Sequence, residues 1–323
     1  MARRELGPAS LAVVQAVDAA VDDGDRALLV ACSGGPDSLA LAFGAWRVSR
    51  RRRLPVAAMV IDHGLQPDSA QIADAACGEL VRMGYRDVTV ERVSVDLDGR
   101  SGTEAAARDA RHRALSAHGL SLGATILLGH TLDDQAETVL LGLARGSGAR
   151  SLAGMPVRTG SYLRPLLALR RKTTEATCAE LDLHPWTDPQ NSDRRFRRVR
   201  VREVVLPTLE AELGPGIAEA LARTASLLAD DADALDRLAD EAYAGNGPLD
   251  CQLLYALSPA LRRRVLLRWL RSSGASDVSS THLLSLESLV TAWRGQGPVQ
   301  LPALQVVRRA GELHIVADRS AVS

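Results

Sequence analysis

Cysteine is scarce and scattered in this chain: four in 323 residues, at 32, 77, 178 and 251, with no close pair. That excludes a zinc or iron–sulfur ligand set of the usual spacing and a disulfide framework, and it is the usage expected of a reducing cytoplasm. Lysine is nearly missing, Lys172 being the only one. No stretch approaches the roughly 20 uninterrupted apolar residues that a membrane-spanning helix needs. Arg3 and Arg4 are followed by Asp18, Asp22, Asp23 and Asp25, so no signal peptide is expected. Long repeats and low-complexity tracts are absent as well. Net charge is zero, which alone would argue against a polyanionic partner.

The distribution of charge argues the other way. Residues 164–202 hold ten Arg or Lys against five Asp or Glu, and six arginines fall between Arg194 and Arg202. Acids gather elsewhere, at Asp230, Asp231, Asp233, Asp236, Asp240 and Glu241. A neutral total with a basic stripe is compatible with one phosphate-binding face. The helix predicted at Pro259–Arg271 carries Arg262, Arg263, Arg264, Arg268 and Arg271 beside an apolar stripe of Val265, Leu266, Trp269 and Leu270. The stripe packs inward; the arginines fit either an RNA-facing role or a structural one.

At this length two domains are expected. Apolar runs at Ala27–Cys32, Val56–Ile61, Val88–Val95 and Thr125–Leu128 are each followed by a helical pattern. Strands alternating with helices imply an α/β fold with a parallel sheet covered on both faces. Amphipathic helices at Ile217–Leu238, Pro259–Arg271 and Thr281–Ala292 predict a smaller, mostly helical second domain, and Val299–Val316 reads as a terminal hairpin. Leu213-Gly214-Pro215-Gly216 is a plausible joint, giving domains 1–213 and 217–323.

The strand at Ala27–Cys32 breaks into Ser33-Gly34-Gly35-Pro36-Asp37-Ser38 and a helix begins at once. Such a junction lines up backbone N–H groups that have no acceptor inside the helix, a ready anion cradle. The loop has no lysine, so it is not the Gly-Lys-Ser/Thr phosphate loop of common NTPases. Asp37 would repel a phosphate, and its presence implies a divalent cation between carboxylate and phosphate. Asp62-His63-Gly64-Leu65 follows the second strand and Gly129-His130-Thr131-Leu132-Asp133-Asp134 the fourth, so three polar clusters share one sheet edge. Helical spacing puts Asp133 and Asp134 beside Glu137, and close carboxylates call for a cation or a cationic substrate. Arg108 and Arg111 share a helical face and suit charge on a phosphate.

Ser33–Ser38 resembles the SGGxDS signature of the N-type ATP pyrophosphatases, the PP-loop proteins, which split ATP into an adenylated substrate and pyrophosphate. Asp62–Leu65 with Ser69, the Arg108/Arg111 helix, Gly129–Thr138, Arg145–Gly148, Leu152–Met155, Arg164–Leu167 and Trp186–Phe196 through Arg202 and Leu206-Pro207 together resemble the tRNA(Ile)-lysidine synthetase family. The chain departs from the family pattern at His112, Ser151 and Val199, where tyrosine, arginine and asparagine are usual. The resemblance spans residues 27–207 and implies a Rossmann-like PP-loop ATPase domain followed by a tRNA-recognition domain. The family's longer members add a further C-terminal domain, here expected to be missing or reduced to the hairpin.

The resemblance also implies the chemistry. ATP adenylates the wobble cytidine at C2 in the CAU anticodon of an isoleucine tRNA, and L-lysine displaces AMP to give lysidine. Ser33, Gly34, Gly35, Pro36, Asp37, Ser38, Asp62, His63 and Gly129 are then expected to bind ATP, with Asp37 holding Mg2+. Asp134 and Glu137 would take the lysine ammonium, with Arg194, Arg198 and Arg200 on tRNA. Asp37, Arg108, Arg111, His130, Asp133 and Arg202 would be catalytic, with a homodimer as the expected assembly. A thiolase of the same group would need reactive, usually paired cysteines; an amidating synthetase, an ammonia source; and a regulatory nucleotide-binding module would have no use for the three acids.

Overall fold

The computed structural model describes residues 6–62, 68–93, 103–146, 148–186, 193–243, 245, 247–275, 277–302 and 304–317, with backbone alone at 103–108. The chain forms two compact units, dividing after Leu227. The first begins with α1 (Pro8–Ala20), β1 (Leu28–Cys32), α2 (Pro36–Arg52), β2 (Val56–Asp62), α3 (Ser69–Met83) and β3 (Val88–Arg92). It continues through α4 (Thr103–Leu122), β4 (Thr125–Leu127), α5 (Leu132–Ala144), α6 (Ala149–Leu152), β5 (Arg158–Thr159), β6 (Tyr162–Leu163) and α7 (Arg171–Leu181). Last come α8 (Arg197–Arg200), a π-helical turn (Val201–Val205), α9 (Leu206–Leu213) and the start of α10 (Ile217–Ala242).

The sheet order is β3-β2-β1-β4-β6-β5, parallel except for the edge pair β5–β6. Alternate residues of β1 feed two cores, because successive side chains leave a strand on opposite faces. Leu28 and Val30 pack with Val13 and Val17 of α1 and Leu39 and Leu41 of α2. Leu29 packs with Met59, Leu115 and Ile126 on the other face. Both faces are covered, as the runs of apolar residues required. Chain order runs outward from β1 through β2 to β3, then returns to place β4 on the other side of β1. The strand order therefore reverses between β1 and β4, where ligands of such sheets bind.

The predicted strands are present within two residues at their starts and ends where they are described; Ser94 and Val95 of the third run lie outside the described residues. The short β5 and β6 add an antiparallel edge that the alternation did not announce. The Gly-Pro-Gly joint sits where α10 begins. Glu210 accepts hydrogen bonds from the Gly216 and Ala218 N–H groups there, at 2.6 and 3.2 Å. Ile217, Ala218, Leu221 and Ala222 then pack with Leu132, Ala136, Val201 and Leu206. The first turns of α10 thereby belong to the core of the first unit.

The second unit contains β7 (Leu249–Asp250), α11 (Cys251–Ala256), α12 (Pro259–Ser272), α13 (Ser280–Thr291), β8 (Val299–Leu301), β9 (Leu304–Arg309) and β10 (Glu312–Ala317). The expected hairpin is the centre of an antiparallel sheet ordered β7-β10-β9-β8. Val265, Leu266, Trp269 and Leu270 of α12 join its core with Leu286, Leu289, Val306 and Leu313. Among the described residues no helix is long and apolar enough to cross a membrane.

Candidate active site

The loop after β1 is knotted on Ser38. Its hydroxyl donates to the Gly35 carbonyl at 2.9 Å and accepts from the Ser33 N–H at 3.2 Å. Gly34 sits at φ +80°, the left-handed region that suits glycine, and lets the chain turn back on itself. Gly35 caps α2 without a side-chain bond, and Pro36 occupies the first turn. The leading N–H groups of α2, with the positive end of its dipole, are thereby presented to an anion.

Gly129, at the end of the fourth strand, lies against the start of the same helix. A Cβ there would stand 3.1 Å from the Asp37 carbonyl carbon and oxygen and 3.2 Å from the Ser38 nitrogen. Only glycine lets the two loops meet this closely. His130 follows, with Thr131 and Asp134 forming a capping box at the start of α5. Asp134 Oδ2 accepts from the Thr131 N–H at 2.8 Å and from its hydroxyl at 2.9 Å. The side chain of Gln135 clasps the Met155 backbone through both its N–H and carbonyl, at 2.7 and 3.0 Å. That clasp accounts for the Leu152–Met155 motif.

The carboxylates do meet cations, and these come from distant segments. Glu137 is fully buried. Arg202 grips it with both Nε and Nη2, at 2.6 and 3.1 Å, and Arg198 Nε reaches it at 2.8 Å. Arg171 is the hub. Its Nε donates to Asp37 Oδ2 and its Nη2 to Asp134 Oδ1, both at 3.0 Å, while Nη1 lies 3.7 Å from Glu137. Thr174 also donates to Asp37. Asp133 takes the Arg171 N–H at 2.7 Å and the Arg170 guanidinium, tying the start of α7 to that of α5.

The electrostatics follow from burial and these partners. Burial raises Asp37 above the ordinary carboxylate range, outweighing Arg171 and Thr174. Burial also opposes ionisation of Asp134, but Arg171, the Thr131 N–H and Arg198 win and hold it low. His130 is lowered to about 4, mainly by burial, with Arg164, Arg111 and Arg198 adding to it against the pull of Asp134. Its buried Nδ1 has no hydrogen-bond partner among the described residues. It is a neutral imidazole at pH 7.

Of the expected residues, Ser33–Ser38, Gly129, His130, Asp133, Asp134, Glu137, Arg198 and Arg202 converge on the β1/β4 reversal point, and the charge of Arg111 is felt at His130. Asp62 ends β2 as a buried carboxylate 3.8 Å from Arg92. Arg194 pairs with Glu203 at 3.0 Å, and Arg200 donates to the carbonyls of Arg194 and Arg195. His63 and the side chain of Arg108 lie outside the described residues. Two of the three departures face inward: Val199 is buried, and His112 meets Tyr162 edge-on at 5.2 Å. Arg170 and Arg171 were not singled out in the sequence. Their only signal was a basic pair at the start of a helix, just after Arg164-Pro165-Leu166-Leu167.

No group of three or more His, Cys, Asp or Glu that could hold a metal forms among the described residues. One carboxylate at a phosphate loop does fit an ion carried in by a triphosphate.

A PP-loop domain model matches residues 10–209, and a TilS substrate binding domain model matches residues 249–314. The tRNA(Ile)-lysidine synthase of Mycolicibacterium paratuberculosis is 52% identical over 84% of this chain and 82% of its own length. Those of Thermobifida fusca and Leifsonia xyli are each 50% identical, over 90% and 88% of this chain and 92% and 88% of theirs. The chain belongs to the tRNA(Ile)-lysidine synthase family. Among solved structures, a U34-tRNA thiolase from Methanococcus maripaludis superposes with TM-score 0.57 at 18% identity, over 68% of this chain and 80% of that one. That likeness shows the fold alone.

Proposed function

We propose that this chain joins L-lysine to C2 of the wobble cytidine in the CAU anticodon of an isoleucine tRNA, at the expense of ATP. The C2 oxygen attacks the α-phosphorus and pyrophosphate leaves, giving an adenylated tRNA. The lysine ε-amine then attacks C2, the C–O bond breaks, AMP departs with that oxygen, and a proton leaves the amine. Glu137 carries the reading. It is a fully buried carboxylate whose ion-pair partners among the described residues are Arg171, Arg198 and Arg202, and Arg171 ties it to Asp37 of the phosphate loop, a setting that suits a cationic substrate group.

Ser33–Ser38 and the start of α2 cradle the phosphates, with Asp62, His63 and Gly129 beside the nucleotide. Asp37 would hold Mg2+ bound to the triphosphate, and the ion, when bound, would supply charge neutralisation at the phosphates. Arg108 and Arg111 are assigned to the charge that develops on the phosphate. Asp134 and Glu137 receive the ammonium, with Arg202 in contact with the same pair. Asp133 positions α7, and His130 lines the same pocket as a neutral imidazole. Residues 1–213 carry the reaction. Residues 217–323, with Arg194, Arg198 and Arg200, bind tRNA, and the protein works in the cytoplasm.

Sulfur transfer is disfavoured by the thiols themselves. Burial pushes Cys178 up to about 12 and raises Cys32, Cys77 and Cys251, so none is held as a thiolate. The test is pyrophosphate and AMP release from ATP with and without tRNA and lysine. Pyrophosphate release is expected to need tRNA, and sustained AMP release to need lysine as well. Glu137→Gln should raise the lysine concentration required about tenfold or more, the loss of one charge-assisted hydrogen bond. Turnover without lysine would sink the reading.

A further inference from the structure

Asp37, Asp134 and Glu137 carry three negative charges, and Arg171, Arg198 and Arg202 carry three positive ones among them. An ammonium approaching this balanced set meets carboxylates already paired. On the reading just given, that is the place where lysine must bind. Of the three arginines, Arg171 alone also bonds the phosphate loop, through Asp37. Arg198 instead bonds Glu137, Thr138 and the Asp134 carbonyl, and Arg202 meets Glu137 and Asp134. Arg171 therefore sits on the border between the anion cradle and the acid pocket, with a side chain 19% exposed.

We infer that Arg171 is a surrogate for the lysine ammonium, holding the acid pocket shut until the triphosphate draws it away. A nucleotide in the cradle offers several negative charges within the reach of a long, forked side chain. When Arg171 turns to them, Asp134 and Glu137 lose one of the three cations that meet them, and the place it held is open to another positive group. A lysine ammonium then takes the place that Arg171 held against the two acids. Arg171 thus positions substrate order rather than reacting itself: nucleotide first, lysine second. Free lysine would not fill the pocket of an enzyme without ATP.

The experiment is calorimetric titration of lysine into the whole protein, alone and saturated with α,β-methylene ATP, whose α–β bridge cannot be cleaved. Wild type should bind lysine at least about tenfold more tightly with the analogue, and by reciprocity lysine should tighten analogue binding by the same factor. Arg171→Met keeps the length of the side chain and removes its charge. This variant should bind lysine without the analogue about as well as loaded wild type does, with coupling reduced to within about twofold of none. Arg171→Gln carries the same expectation should the methionine variant not fold. Equal lysine affinity of wild type with and without the analogue would overturn the surrogate role, as would full coupling in either variant. No lysine binding in either state would overturn the ammonium site on which it rests.

Discussion

Two arginine-rich regions of this molecule use the same residue for opposite ends. In α12, Arg262 is buried and fully engaged by fixed partners. It donates to the carbonyls of Leu254, Tyr255 and Leu257 at 2.8–3.1 Å and to Glu287 at 2.9 Å, with Arg263 on the other oxygen of that carboxylate. Arg264 and Arg268 pair with Asp236 and Asp240 of α10. Around Glu137 the arginines face carboxylates almost alone, and those carboxylates lie beside a loop built to take an anion. Backbone carbonyls have no competitor in a folded chain, whereas a carboxylate will take any cation of suitable shape. The first set is a structural tie. The second is exchangeable.

Breaking each set should separate stability from substrate use. Arg262→Ala leaves Glu287 and three carbonyls short of a donor, and removing one partner of a buried pair costs about 3–5 kcal/mol. Urea titration of the full chain should show that loss, while the lysine concentration for half-maximal rate stays put; a shifted lysine requirement would merge the two sets. Asp37→Ala should lower tRNA-dependent pyrophosphate release by roughly 10²–10³-fold, the usual scale for losing one electrostatic stabiliser of a transition state. Its circular dichroism should be unchanged, and a rate near wild type would remove Asp37 from the chemistry.

The smallest effect concerns His130. With its folded value near 4 against 6.5 ordinarily, only the unfolded chain takes up the proton between those limits. Stability should therefore fall as pH drops from 6.5 to 4, by at most about 1.4 kcal/mol per pH unit. His130→Asn should flatten that slope in denaturation curves taken every half unit. A slope identical in the two proteins would mean that His130 is not held neutral.

Most of the first unit could be read from the chain because apolar runs and small-residue loops are local signals. The Ser33–Ser38 cradle and the Gly129 contact belong to that class. What stayed hidden is non-local or too short to show a period. β5 and β6 span two residues each, and the π-helical turn leaves no pattern of its own in Val201–Val205. Arg171 lies 37 residues from Asp134 and 134 from Asp37. No spacing rule joins them; the folded sheet does, by setting the starts of α2, α5 and α7 around one point. The arginines of α12 were ambiguous for a related reason, since their acids sit on other helices.

Those separations also set a timetable. Leu28 pairs with Thr125, and Arg198 meets Glu137 across 61 residues, so closing the site is a late, entropically costly event in folding. A nascent chain released only as far as Leu181 has all three acids but only one of their three arginines. Glu137 then has no bidentate partner, and burying it half-compensated is unfavourable. The pocket around Glu137 accordingly lacks two of its three cations until Arg198 and Arg202 have been made. On the function proposed above, a chain ending before Arg198 is expected to hold the residues of the whole sheet but only part of the site that surrounds Glu137.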